Sequence, residues 1–440
     1  MMRSRFTVLA TLLLFATVGA RAFAESAPDA NFPRSQGELK AMLQILAPAK
    51  GSAHTLENEY LARLKQYRYI CNVPFENLQW DAGYQELAEH AASINSKLGK
   101  LTHTPERPAG MSDAEYDLGK RGAGQSNLFM GVTKAQACVD GWMNDSDPTN
   151  IDRTGHRRWC INPTMLKSAF GTTGNYAAMY AFDNSNKHVP DWDYVSYPAK
   201  GYMPAQFFGN RHAWTVSLNM SKYARPEQEK ITVEIHTADA KLAPVGPALK
   251  LDYYHVDLGG FGSGPAIIFR PESFSTSTET PFVVNINGLK TKKGEATTLS
   301  YVVQFFNVNK AAEGSEGAVV YSKFYKQRVE SIQALPEKVD QLEAYSALNE
   351  DEYFRQSDAA IQTAVQKTVQ ELLKDPILKR EQEAAMRYKT LFALEQKAGK
   401  NKDQRVQAAY AYRDLASAYK ETRAGKKAAD DFERIKKDFQ

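Results

Sequence analysis

Gly155-His156-Arg157-Arg158-Trp159-Cys160-Ile161-Asn162-Pro163 places a histidine, two arginines and an aromatic residue before a short apolar step of strand character. The proline ends that step, because proline has no backbone N–H to donate to a sheet. Three blocks precede this stretch, and their order is more informative than any single one. They are Leu101-Thr102-His103-Thr104-Pro105, Gly124-Gln125-Ser126-Asn127-Leu128-Phe129-Met130-Gly131 and Gly141-Trp142-Met143-Asn144-Asp145.

Together the four blocks resemble the CAP superfamily, also called the SCP domain (cysteine-rich secretory proteins, antigen five and pathogenesis-related proteins), in its bacterial form. The resemblance covers roughly residues 53–220 of the 440. It implies an α-β-α sandwich, with helices on both sides of a small mixed sheet. The predicted fold class is therefore α+β, with a CAP-type domain over residues 53–225.

The resemblance also implies a groove. In many members of the family two histidines and two acidic residues face each other across it. His103 and His156 match the histidine positions, and Asp145 matches the second acidic position. Ser126 stands where other members have a glutamate, and Asn127 is expected to fix the loop.

These residue types allow more than one chemistry. Two neutral imidazoles and a carboxylate can hold Zn²⁺ with an open fourth position, which makes His103, His156 and Asp145 candidate metal ligands. Ser126, His103 and Asp145 also contain the parts of a hydroxyl nucleophile, its base and its orienting group. A structural alternative is that His103 caps its helix while His156 supports local packing.

Three functions follow as hypotheses. The first is a non-catalytic exported protein that binds a small hydrophobic molecule or a divalent metal in the groove. The second is a metal-assisted or hydroxyl-based hydrolase at the same groove. The third is an adaptor that binds protein partners through its later domains. Nucleic acid is not a predicted partner, because 55 basic and 51 acidic side chains leave a net charge of only +4.

The amino terminus has the pattern of an export signal. Arg3 and Arg5 precede an apolar run over 6–18, and Ala22-Phe23-Ala24 fits a cleavage site. We expect a signal peptide over 1–24, a mature protein beginning near Glu25, and a secreted or periplasmic location. No other stretch predicts a transmembrane anchor. Residues 25–52 are predicted to be a linker with a short helical piece.

Cysteine usage leaves two interpretations open. Export permits one disulfide among Cys71, Cys138 and Cys160, in any of three pairings. Alternatively, all three are small buried apolar side chains.

Several local patterns surround the candidate groove. Apolar residues three and four apart predict a helix that ends at Gly99. The glycine-containing stretch 111–124 predicts a loop. The arginines of the central stretch are expected to form an ion-pair cluster with Asp145 and Asp152. The aromatic residues between 176 and 208 predict either core packing or a wall for a ligand, and strands over 194–218 are expected to extend the CAP domain as a flap.

The second half of the chain predicts two further regions. Six short strand patterns, the last at 318–324, predict a β-sandwich over 226–334, with an immunoglobulin-like fold as one form. Residues 335–440 are predicted to be helical. Tyr412, Leu415, Ala416, Tyr419, Ala428, Phe432 and Ile435 occupy the packing positions of a tetratricopeptide hairpin with its turn at Ala424-Gly425. An ordinary helical hairpin with the same spacing is the alternative.

Overall fold

The computed structural model describes residues 30–48, 55–131, 133–399 and 401–437. The predicted signal peptide lies outside these residues. The described chain is mixed α and β, with open sheets followed by a C-terminal helical region, which confirms the predicted class at that coarse level. The helices are α1 (Gln36–Ile45), α2 (Leu56–Ile70), α3 (Ala82–Leu98), α4 (Asp113–Gly124), α5 (Ala135–Asn144), α6 (Gly155–Cys160), α7 (Gly314–Gln333), α8 (Lys338–Glu350), α9 (Ala359–Leu372), α10 (Pro376–Ala398), α11 (Lys402–Ala418) and α12 (Arg423–Lys436).

The strands fall into a first group before residue 181 and a second group from 194 to 306. They are β1 (Gln79–Trp80), β2 (Ser126–Met130), β3 (Lys167–Ser168), β4 (Phe170–Thr173), β5 (Tyr176–Tyr180), β6 (Tyr194–Tyr197), β7 (Gly201–Pro204), β8 (Trp214–Leu218), β9 (Thr232–Ala238), β10 (Pro244–Val245), β11 (Leu251–Asp257), β12 (Ala266–Pro271), β13 (Phe282–Lys290) and β14 (Ala296–Phe306).

The first group builds a helix–sheet–helix arrangement. Strands β2, β5 and β4 form a three-stranded sheet in that order, with Phe129 opposite Ala177. Ala178 packs with Ala88 and Ala91 of α3 on one face, whereas Met179 belongs to the core shared with α2 and α5 on the other. The prediction of a mixed sheet was wrong, because both pairings in this sheet are antiparallel and the parallel pair β1–β3 is separate.

Helix α4 occupies the stretch that was predicted to be a loop. Ser112 and Glu115 form a capping box that begins the helix. Its glycines serve close packing rather than turning. A Cβ at Gly122 would lie 2.1 Å from the carbonyl oxygen of Leu87, and one at Gly119 would lie 3.2 Å from that of His90. Only glycine therefore lets α4 approach α3 this closely.

The second group of strands forms two packed sheets. One has the order β10-β9-β13-β14-β7, and the other has the order β11-β12-β8-β6. The ring of Trp214 in β8 lies 6.0 Å from Phe282 and 6.1 Å from Phe305, so aromatic side chains join the sheets. The sandwich begins at Tyr194, because β8 pairs with β12 and β7 pairs with β14. The predicted boundary at 225/226 therefore falls inside it, and the predicted flap is part of both sheets.

The predicted strand over 318–324 is also wrong, because these residues lie within α7. Tyr321 and Tyr325 are four residues apart and each is only 1% exposed, which is the spacing of one buried helix face. The helical region therefore begins at Gly314 rather than near residue 335.

Helix α1 confirms the short helical piece predicted within residues 25–52, but it is packed against the rest of the chain rather than lying in a linker. Leu39, Ala41 and Leu43 are buried, and Tyr321 of α7 donates a hydrogen bond to Gln44 at 2.8 Å. Gly37 permits the approach, since a Cβ there would lie 2.5 Å from the carbonyl oxygen of Glu313. Residues 36–45 thus pack as part of the helical region.

The carboxy-terminal hairpin keeps the predicted packing residues, and all seven belong to the cluster that α10, α11 and α12 share. The turn lies earlier than predicted. Thr422 caps α12 by accepting a hydrogen bond from the backbone N–H of Gly425 at 3.0 Å. Gly425 is inside the helix, where a Cβ would meet the carbonyl oxygen of Tyr419 at 1.9 Å. Among the described residues, no helix is both long and apolar enough to cross a membrane.

Candidate functional site

The three-stranded sheet β2-β5-β4 and the helices that flank it are called the α/β unit below. The imidazoles of His103 and His156 lie beside each other at one edge of this unit. Their ring centroids are 6.4 Å apart, with a tilt of 32°. His103 lies on the segment between α3 and α4, and His156 lies in the first turn of α6. The predicted strand-like step after His156 is instead the end of α6 followed by a turn. Two residues that are 53 positions apart in the sequence thus form one pair, which we call the histidine pair.

His156 is oriented by a carboxylate. Its Nδ1 lies 2.8 Å from Oδ1 of Asp145, and Oδ2 of the same carboxylate accepts a hydrogen bond from the backbone N–H of Arg157 at 3.2 Å. Because a carboxylate oxygen accepts, Nδ1 of the neutral imidazole carries the proton. The lone pair of His156 is therefore on Nε2.

His103 has the same tautomer for a different reason. Its Nδ1 lies 2.8 Å from the carbonyl oxygen of Ala123, at the end of α4, and a carbonyl can only accept. The residue as a whole is exposed, yet its ring loses enough hydration to lower its pKa below the ordinary value. The Ala123 hydrogen bond opposes that shift, and the positive charges of His156 and Arg153 add to it. His103 thus favours the neutral form.

Asp145 is not placed as a third ligand beside the two rings. Its side chain is 1% exposed and both of its oxygens accept hydrogen bonds from α6. Within the described ranges, no group of three His, Cys, Asp or Glu side chains could hold a metal ion. The predicted ligand role of Asp145 is therefore corrected to that of an orienting group behind His156.

The spacing of the rings bears on metal binding. Two imidazoles on one tetrahedral zinc ion bring their centroids to about 5 Å, given Zn–N distances of about 2.0–2.1 Å. The observed 6.4 Å would have to close by about 1 Å for both Nε2 atoms to reach one ion.

Ser126 does not form the hydrogen bond to a histidine base that a hydroxyl nucleophile needs. Its residue is 3% exposed in β2, and its Oγ is enclosed without a hydrogen-bond partner in the described part of the chain. A serine nucleophile requires a base within hydrogen-bond reach. Neither histidine supplies one in this arrangement.

Asn127 holds α6 against the sheet. Its side-chain amide donates to the carbonyl oxygen of His156 at 2.9 Å, and the residue is 2% exposed. It therefore positions the helix that carries His156.

The two arginines that follow His156 connect the α/β unit with the sandwich. Arg157 donates to the carbonyl oxygens of Met143 and Ala213, each at 2.7 Å. Arg158 pairs with Asp257 and donates to the carbonyl oxygen of Gly259 at 2.7 Å. The predicted cluster with Asp145 and Asp152 is therefore corrected.

Asp152 pairs with Arg153 instead, at 3.0 Å. From Arg157 the Asp145 carboxylate accepts the backbone N–H, at 3.2 Å, while the guanidinium of Arg157 donates to the carbonyl oxygens of Met143 and Ala213. Sequence spacing could not find the true partner of Arg158, because Asp257 lies 99 residues away.

The backbone is strained at two positions that precede His156 in the chain. Asp145 has φ of 42° and Thr154 has φ of 43°, in the left-handed region that β-branched residues avoid. The Oγ1 atom of Thr154 is also enclosed without a partner among the residues described. Such conformations persist only where the surroundings fix them, and they concentrate at functional sites.

The cysteines are three free thiols, all buried. Burial raises the pKa of Cys71 and of Cys138 to about 12, and it raises that of Cys160 further. They therefore match the interpretation as small apolar side chains rather than the disulfide.

Most of the aromatic residues between 176 and 208 serve the core. Tyr176, Tyr197, Phe207 and Phe208 are all less than 9% exposed. Phe182 differs, since it is 44% exposed, and it is a residue that sequence reasoning did not separate from its neighbours. A cleft of about 500 Å³ between the α2–β1 connection and residues 189–200 is lined by neither histidine of the pair.

Comparison of the chain with protein-family models, with curated proteins and with solved structures found no match. The fold and site define a mixed α/β protein with a pair of oriented imidazoles at the edge of an antiparallel sheet. The family resemblance rests on the four sequence blocks.

Proposed function

We propose that this chain is an exported, non-catalytic binding protein of CAP type, whose histidine pair binds a divalent transition metal ion such as Zn²⁺ through the two Nε2 atoms. One observation carries the proposal. Both Nδ1 atoms are held by hydrogen-bond acceptors, Asp145 for His156 and Ala123 for His103, each at 2.8 Å. Both Nε2 atoms are thereby left as lone-pair donors.

This arrangement matches what metal-binding histidines need. A ligating imidazole donates its other N–H to a carboxylate or a carbonyl, which fixes the ring and raises its basicity. Metal binding also requires the neutral imidazole, and the lowered pKa of His103 favours that form at neutral pH. An ion with two protein ligands keeps positions for a small molecule, which fits the expected hydrophobic ligand.

A hydrolase receives less support. The Asp145–His156 pair has the geometry of a base and its orienting group, at 2.8 Å. Ser126 does not complete it, because its Oγ meets no base among the described residues. Binding is therefore the function that we favour for this site.

The adaptor is a second candidate with an observation of its own. Helix α10 exposes several large apolar side chains: Ile377 at 71%, Met386 at 65% and Leu394 at 55%. Met386 also lines an opening of about 370 Å³ between α8 and α10. Exposed apolar surface of this kind is typical of protein contact sites.

Calorimetric zinc titration of the protein from Glu25 onward tests the metal proposal. We expect stoichiometric binding in the wild type and its loss in His103→Ala/His156→Ala. His188→Ala/His236→Ala removes two histidines elsewhere and should bind zinc as the wild type does. Equal zinc binding by all three proteins would refute the proposal.

A further inference from the structure

Trp159 and Phe182 form an aromatic stack at the surface. Their ring centroids are 4.4 Å apart and their planes are inclined by 26°. Trp159 is partly buried, whereas Phe182 remains 44% exposed. A single exposed aromatic residue is common on protein surfaces. This stack suggests a function only because of its position relative to the histidine pair.

Each residue of the stack is connected to one member of the histidine pair through a short path of backbone. Trp159 follows His156 by three residues on α6, and residues three apart lie on the same face of a helix. Phe182 directly follows Ala181, whose backbone N–H donates to the carbonyl oxygen of Gln125 at 2.9 Å. Gln125 ends α4, two residues after the Ala123 carbonyl that holds His103.

The stacked pair Trp159 and Phe182, called the platform below, is also held in place by the surrounding chain. Asp183, 2% exposed, accepts backbone hydrogen bonds from Leu166 at 2.8 Å and from Lys167 at 3.0 Å, which fixes the chain after Phe182. Trp159 lies on a helix anchored by the buried Arg158. A preformed apolar surface costs little ordering free energy when a ligand binds.

From this placement we infer that the ligand of the histidine pair carries a flat apolar ring that stacks on Phe182. The inference rests on the proposed function, which supplies the binding site for the ligand's polar head. The ligand class is thus a small molecule with a metal-binding or hydrogen-bonding head and an aromatic or similarly flat apolar body. Aromatic stacking of this kind favours the ring-bearing ligand by about three- to tenfold.

Benzohydroxamate and acetohydroxamate test this inference, because they share a head group and differ in the ring. When loaded with zinc, the wild-type protein should bind benzohydroxamate about three- to tenfold more tightly than it binds acetohydroxamate. Phe182→Ala should abolish that preference while leaving the affinities for zinc and for acetohydroxamate unchanged. Phe392→Ala removes another phenylalanine, 38% exposed on α10, and should behave as the wild type does. A preference that survives in Phe182→Ala, or its absence from the wild type, would overturn the inference.

A metal-free measurement separates the two proposals. Saturation-transfer NMR should show transfer to the ring protons of benzohydroxamate from the zinc-free wild type and from Phe392→Ala, but not from Phe182→Ala. If zinc does not bind and this pattern still appears, ring binding at Phe182 is supported and the proposal of a metal site is refuted. If neither zinc binding nor ring contact is found, both fail.

Discussion

Asp145 accepts a hydrogen bond from Nδ1 of His156 at 2.8 Å, so the carboxylate is an orienting group for the imidazole. The relationship depends on a strained turn, because Asp145 ends α5 with φ of 42°. It directs the lone pair of His156 to the nitrogen that the carboxylate does not touch. The position of the His156 lone pair therefore depends on a buried carboxylate behind the ring.

Replacing Asp145 with asparagine should weaken zinc binding by about 10- to 100-fold, the usual effect of losing a partner behind a metal ligand. Asparagine tolerates the left-handed backbone, so the fold should be retained. Competition with a chromophoric chelator gives the dissociation constant. Asp191→Asn, at a side chain that is 84% exposed, serves as the control and should leave that constant unchanged. Unaltered zinc affinity in Asp145→Asn would show that the carboxylate does not support the site.

Gly122→Ala should destabilise the α/β unit, since its Cβ would lie 2.1 Å from the carbonyl oxygen of Leu87. Helices α3 and α4 would have to separate, which also shifts the Ala123 carbonyl that holds His103. Gly124→Ala in the same helix would place its Cβ 3.6 Å from the carbonyl oxygen of His103, an ordinary van der Waals distance, and should be nearly neutral. Urea denaturation of both variants measures the difference. Equal midpoints would contradict the packing that we describe.

Arg158→Met should lower the free energy of unfolding by about 3–5 kcal/mol, because it leaves the partly buried Asp257 carboxylate and several carbonyl groups without their charged partner. The pair with Asp257 joins α6 to the sandwich, and the Arg158 side chain is 0% exposed. Arg423→Met breaks an exposed pair with Asp340, 48% and 37% exposed, and should lower the free energy of unfolding far less, because water screens the pair. Unfolding in guanidinium chloride gives the free energy of unfolding of each variant. Similar losses of stability in the two variants would argue against a role for Arg158 in joining α6 to the sandwich.

The stability of the protein should decrease as the pH falls from about 6.5 to about 3, in part through His212. Burial, together with the nearby positive charge of Arg157, lowers the pKa of His212 to about 3. The unfolded chain therefore binds this proton first, and the free energy of unfolding falls across that window. His212→Phe should make the decrease shallower in thermal unfolding at pH 7 and pH 4. His188→Phe, at an exposed residue, should keep the wild-type slope, and identical slopes in all three proteins would exclude His212 as a cause.

Local pattern predicted much of the fold. The apolar stripe before Gly99 predicted α3, which ends at Leu98 with Gly99 in the left-handed conformation. The packing residues of the last hairpin, such as Tyr412 and Ile435, were also correct. Both features arise from the helical repeat, which is present in the sequence itself.

Features that depend on distant neighbours were missed. Gly119 and Gly122 predicted a loop, because a glycine in the sequence looks the same whether it permits a turn or a close helix contact. The strands over 194–218 were assigned to the wrong unit, since their partners β12 and β14 come at least 48 residues later. For the candidate site, residue types suggested the histidine pair, whereas the separate roles of Asp145 and Ser126 required distances.

The protonation states of the imidazole nitrogens of His103 and His156 are the measurement that tests the central claim most directly. Long-range ¹H–¹⁵N NMR at neutral pH reports which nitrogen of each ring is protonated. We predict a proton on Nδ1 and a bare Nε2 in both rings, with both Nε2 resonances shifting together when one equivalent of Zn²⁺ is added. Protonated Nε2 atoms, or resonances that do not respond to zinc, would contradict the proposal that this pair is a binding site for a metal ion.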